Sequence, residues 1–175
     1  MKKSPILSTL VLALVMLVSA NMNAQKFRGL DKSPMDATFY RTSRNAPAIA
    51  KVVYSRPQLK GRDVSSLAKN GEVWRTGANE AASITLYNDV KIGEKPLSAG
   101  EYSLFTIPGE KEWIIIISKD INVWGAYSYK EENDVLRVSA PVSSGESLEV
   151  FSITFAQGNL YLGWGTTRVT LPFSI

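Results

Sequence analysis

The stretch YSLFTIPGEKEWIIII, residues 102–117, decides the fold class. Residues 102–107 follow Ala99-Gly100 and stop at Pro108-Gly109, the punctuation that Gly and Pro give to a strand. Residues 113–117 are apolar without a break, which reads as a central strand buried on both faces. The same period-2 texture continues in both directions. Upstream, residues 49–54 (IAKVVY) form a strand closed by Ser55-Arg-Pro57. Ala82, Ile84 and Leu86 point one way, while Ser83, Thr85 and Tyr87 point the other. Residues 90–92 and Leu97 flank GEKP (93–96), a tight hairpin. Downstream, residues 135–138, 148–155, 160–164 and 168–173 complete the set, with PVSSGES (141–147) as a flexible loop. Residues 64–69 (VSSLAK) alone have helical character, enough for one or two turns. Short strands rich in Ile, Val, Tyr, Phe and Thr between regular turns predict an all-β fold. The expectation is an antiparallel β-sandwich of jelly-roll or immunoglobulin-like type, or one closing towards a barrel, with at most one short helix.

The ends set the domain count. Lys2 and Lys3 precede an unbroken apolar run at residues 10–18, and small residues follow up to Ala24. This is the layout of a secretory signal peptide over residues 1–24, with Ala20 as the alternative cleavage point. Ser8, Thr9 and Ser19 bracket the run too closely for the ~20 apolar residues of a membrane span. The expected destination is the periplasm or the outside of the cell, with no stable membrane anchor after cleavage. Residues 25–47 read as an irregular lead-in and residues 48–175 as one domain. With no cysteine, its stability must come from a hydrophobic core.

Charge and composition exclude much. The net charge is +4, and setting aside Lys2 and Lys3 leaves 18 basic residues against 16 acidic, or +2. The charges are interspersed, so no nucleic-acid partner is expected. Histidine is absent as well as cysteine. That removes Ser-His-Asp and Cys-His catalysis and zinc sites of the usual type. There is no phosphate-cradling glycine loop. Neither 120–122 (DIN) nor 130–134 (KEEND) matches a calcium loop. Neither a metal nor a cofactor is expected.

The candidate site centres on VWRTGANEAASITL, residues 73–86. Glu80 is the best catalytic candidate, because carboxylate chemistry is what remains; a glycosidase needs a second acid ~5–9 Å away. Glu72 and Glu101 are weaker candidates. The plain alternative is that Arg75 and Glu80 form a structural ion pair while Asn79 bonds turn backbone. Trp113 reads as core. Trp124 and Tyr127, beside Gly125, can stand at a loop or strand edge and stack on a ligand. Gly163 and Gly165 mark either a bulge or a place where something lies against Trp164. The expected binding set is Trp74, Arg75, Thr76, Asn79, Glu80, Trp124 and Tyr127.

Five stretches together resemble one family: YSRPQLKGR (54–62), GEVWRTGANEA (71–81), LSAGEYSLFTIPGEKEWIIIISKD (97–120), WGAYSYKEENDVLRV (124–138) and TTRVTLPFSI (166–175). They look like the DUF2911 family of exported bacterial proteins, a domain of unknown function. One departure is LAKN (67–70), where the family more often carries a Pro and an aromatic. The resemblance implies export and a β-rich domain, and no reaction. Three functions follow in order: a binding module for a carbohydrate, an envelope fragment or a protein; a structural or envelope-assembly protein; and a carboxylate hydrolase centred on Glu80.

Overall fold

A computed structural model describes residues 25–175. The signal-peptide assignment and its cleavage point at Ala24 lie outside the described residues. The chain divides into two units. The described part of the first, residues 25–30, holds no helix or strand. The second, Asp31–Ile175, holds all the elements below.

Nine strands follow in chain order: β1 (Met35–Tyr40), β2 (Ala50–Ser55), β3 (Ala82–Leu86), β4 (Val90–Ile92), β5 (Lys95–Leu97), β6 (Gly100–Ile107), β7 (Glu112–Ser118), β8 (Asp134–Ala156) and β9 (Asn159–Ser174). One short helix, α1 (Val64–Leu67), and a 3-10 turn at Glu131–Asn133 complete the set. All pairings are antiparallel, in the order β1-β2-β3-β6-β7-β8-β9-β4-β5. The connections form a meander with one hairpin, β4–β5, carried across to β9. The sheet does not close into a barrel, so the expectation of closure is corrected. Strands β1 and β5 are its two ends.

The two layers come from β8. Its first part pairs with β7 as far as Pro141. From Val142 it pairs with β9, with register shifts between Ser144 and Leu148 and between Leu148 and Ser152. Bulges of this kind bend a strand and raise its twist. Residues 141–147 are therefore extended strand and not a flexible loop: the chain changes partner there without breaking. Likewise, the segments expected at 160–164 and 168–173 are one strand, β9. The irregularity opposite Gly163 and Gly165 is where β8 shifts register. Trp164 is buried there and stacked on Trp74, with ring centroids 5.6 Å apart and planes at 12°.

A second correction concerns the lead-in. Met35–Tyr40 pairs residue for residue with Ser55–Ala50, so part of residues 25–47 is an edge strand. Its side chains are half-buried at even positions and exposed at odd ones.

Between the layers lies one apolar core. Val52, Ile84, Leu104 and Ile115 come from the first layer; Phe151, Ile153, Leu162 and Phe173 come from the second. Trp74 joins the aromatic cluster at its centre, edge-on to Trp113 and Phe151. The opposite face of the first layer is also covered in part. Phe105 and Ile116 are neighbours in register and fully buried, yet outside that core. Tyr129, from the segment between β7 and β8, packs edge-on to Phe105 at 5.2 Å. That is why residues 113–117 read as buried on both faces.

Candidate functional site

The WRTGANE turn, residues 74–80, joins α1 to β3 and is anchored at both ends. Trp74 pairs with Thr106 of β6 through both backbone groups, at 2.7 and 2.9 Å. The Arg75 carbonyl accepts the Ala82 N–H at 3.0 Å. Between them the chain is tight. Thr76 (φ 54°) and Asn79 (φ 62°) have left-handed backbone. A Cβ on Gly77 would stand 2.8 Å from the Ser55 carbonyl oxygen, so only glycine lets the turn press against the end of β2. The Thr76 hydroxyl bonds to Thr106 Oγ1 at 3.2 Å in a fully buried position.

Burial divides the expected binding set. Trp74 and Thr76 are core residues, because the bridge to β6 turns the Trp74 ring between the layers. They support the turn from beneath and present no surface to a ligand. Arg75 and Asn79 are half-buried, and Glu80 is exposed. No ion pair joins Arg75 to Glu80 among the described residues. Arg75 Nε is buried without a hydrogen-bond partner. Asn79 Nδ2 donates to Asp31 Oδ1 at 3.2 Å.

The far side of the turn holds the loop that follows β7. The Ala81 N–H donates to the Val123 carbonyl and the Gly125 N–H to the Asn79 carbonyl, each at 3.0 Å. Glu80 and Trp124 thereby face each other as a bridged pair. Trp124 is 61% exposed and Tyr127 86%, an unusual degree for rings of this size. Gly125 (φ 65°) lets the Tyr127 ring close over its backbone: a Cβ there would stand 2.8 Å from Tyr127 Cδ2.

Between this loop and the outer face of the first layer is a cleft of about 150 Å³. Its floor includes Val53, Ser55 and Ser83, which lie on the sheet; Met35, Glu80 and Asn122 form its rim. Glu80 is the one carboxylate lining it among the described residues. The structure thus brings Glu80 to the lining of this cleft and opposite Trp124, while Trp124 and Tyr127 themselves stand outside the lining. Met35, Ser55 and Asn122 were missed in the sequence. Ser83 carried a signal, its alternation away from the core. Asn122 has left-handed backbone (φ 58°), which places it at a loop corner and leaves no trace in hydrophobic pattern.

The other acids are placed elsewhere. Glu72 pairs with Lys69 on the surface and Glu101 is exposed on β6. Asp134 lies beneath Tyr129 and Arg137, accepting from their side chains at 2.6 and 3.1 Å. Burial first, and then the bond to Asp134, push the Tyr129 phenol well above its ordinary pKa. Among the described residues, no group of three or more acids is placed to hold a metal ion.

Fold and site together define a two-layer antiparallel β protein with a loop-covered cleft on one outer face. The chain belongs to the DUF2911 family, described as a protein of unknown function, whose sequence profile matches residues 33–173. That span takes in β1 and most of the stretch expected to be irregular. No curated protein and no solved structure matches the chain.

Proposed function

We propose that this is an exported binding module that takes a saccharide on the outer face of its first layer, in the cleft beside Glu80. The observation that carries the reading is the exposed Trp124 ring, bridged to Glu80 at the edge of a cleft where Ser55, Ser83, Asn122 and Glu80 stand among the apolar Met35, Val53 and Ala81, with the exposed Tyr127 further along the same loop. Sugar rings offer apolar C–H faces and a rim of hydroxyls. Such a ligand stacks on Trp124 and exchanges hydrogen bonds with Glu80, Asn122 and Ser83. The cleft volume of about 150 Å³ is below the ~300 Å³ at which drug-sized pockets begin. It suits one terminal sugar unit, with the remainder lying over Tyr127. The loop is held by backbone bonds to the turn, so the site is formed before the ligand arrives and little ordering entropy opposes binding. A lone carboxylate in the lining favours binding over glycoside hydrolysis, which needs two facing acids. Export rests on the basic, apolar and small-residue succession of residues 1–24.

A thermal-shift screen against envelope monosaccharides and disaccharides tests this. A ligand at about 100 times its Kd adds roughly 2.7 kcal/mol to stability. The parent should shift with at least one sugar, and Trp124→Ala and Glu80→Gln should fold as the parent does and lose the shift. Parent and variants that respond alike, or a parent that responds to no sugar, would remove the reading.

A further inference from the structure

A second, larger cleft lies away from the residues above, where the segment before α1, the β6–β7 turn and the β8–β9 bulge meet. Its volume is about 510 Å³, within the ~300–1,000 Å³ usual for small-molecule sites. Leu59, Val64 and Pro108 line it, together with the almost completely buried Trp113. Hydroxyls of Ser147, Thr166 and Thr167 stand around it.

The charges in its wall decide what it can take. Arg62 donates through Nε to the Leu59 carbonyl at 2.8 Å and through Nη2 to the Gln58 carbonyl at 2.9 Å. Both acceptors are neutral, so the guanidinium is fixed in place while its charge stays uncancelled. Asp63 occupies the N-cap position of α1, yet its side chain makes no capping bond. An N-cap aspartate ordinarily accepts a backbone N–H of the first turn; this carboxylate is left to the cleft. Glu110, in the β6–β7 turn, supplies a second carboxylate. Among the described residues, none of these three side chains is in an ion pair.

A fixed cation and two carboxylates around one cleft disfavour a ligand of a single charge sign, since either sign meets a like charge. They complement a ligand carrying both. We infer that this cleft is a binding site for a zwitterion, an α-amino acid or the end of a short peptide. Arg62 faces the ligand carboxylate, Asp63 and Glu110 face its ammonium group, and a small apolar side chain rests against Trp113 and Val64. Charge-assisted bonds of this kind are about twice as strong as neutral ones.

Titration calorimetry of the protein with L-alanine, with the dipeptide Ala-Ala and with N-acetylalanine amide tests the inference. The last has the same apolar part and neither charge. Saturable heat with alanine or the dipeptide, at least tenfold weaker with the blocked compound, is the expected result; the stronger of the two zwitterions tells an amino acid from a peptide end. The paired substitution of Asp63→Asn and Glu110→Gln, both at exposed positions, should preserve the fold by circular dichroism and weaken the zwitterion at least tenfold. Trp124→Ala should leave it unchanged. No heat with either zwitterion, equal binding of the blocked compound, or an undiminished response in the doubly substituted protein would each overturn it. Binding of N-acetylglucosamine here in place of the zwitterions would likewise overturn it.

Discussion

The Tyr54 phenol bonds twice to the backbone of one residue, Ile153. It accepts the Ile153 N–H at 2.9 Å and donates to the Ile153 carbonyl at 3.2 Å. Those residues are 99 positions apart, on β2 and on the far part of β8, so the contact ties the two layers together. Next to it, Arg56 spans Asp36, the Phe151 carbonyl and the Ser152 hydroxyl. Removing the phenol oxygen leaves two buried backbone groups without this partner. Tyr54→Phe should therefore cost about 1–3 kcal/mol, read as a lower denaturation midpoint at unchanged slope.

Alkaline titration should expose the same contact. Burial raises the Tyr54 pKa above its ordinary value of 10.0, and burial with the Asp134 bond does the same for Tyr129. Both phenols hold their protons more tightly in the folded state than in the unfolded one. Their contribution is whole below about pH 10, the unfolded value, and is lost as pH rises through the folded values. Stability should fall on the alkaline side of about pH 10. Tyr54→Phe and Tyr129→Phe should each flatten that fall, measured by urea denaturation across pH 8–12 at about one-unit steps.

Trp74 and Trp124 should respond oppositely to truncation. Trp74 is buried against Trp164, Trp113 and Phe151, so Trp74→Ala should cost about 3–5 kcal/mol. Trp124 is largely exposed, and Trp124→Ala should stay within about 0.5 kcal/mol of the parent. Equal losses would place both rings in the core.

Gly77→Ala should cost at least about 1–3 kcal/mol, because the added methyl meets the Ser55 backbone at 2.8 Å and backbone yields poorly. Circular dichroism melting of that variant beside Asn79→Gly separates the close approach from the left-handed backbone. Asn79→Gly loses only the bond to Asp31 and should be much milder.

Much of the fold was legible because period-2 alternation is a direct image of a layer with one buried face. Ile84 and Ser83 sit on opposite sides, as their order in the chain requires. What escaped depends on partners distant in sequence. Pro141, Gly145 and three serines read as a loop, yet β8 stays extended through them because it exchanges β7 for β9 at that point. MDATFY was hidden for a similar reason: an edge strand has no buried face strong enough to mark it, and its backbone pairs with β2 on one side alone. In the WRTGANE turn, composition marked the segment as unusual. It could not tell that the bridge to Thr106 sends Trp74 inward while Glu80 meets Trp124 outside. The lining from Met35 and Asn122 is assembled from loops and an edge with no shared pattern.

The proposal that the cleft takes a saccharide is most directly tested on the Trp124 indole itself. With the four indole N–H signals assigned by substitution, envelope sugars are titrated up to about 10 mM, ten times a weak millimolar Kd. One sugar should move the Trp124 signal saturably, with Trp74 and Trp164 still, and Glu80→Gln should weaken the response. A Trp124 signal unmoved by every sugar, or moved as much in Glu80→Gln, would contradict it.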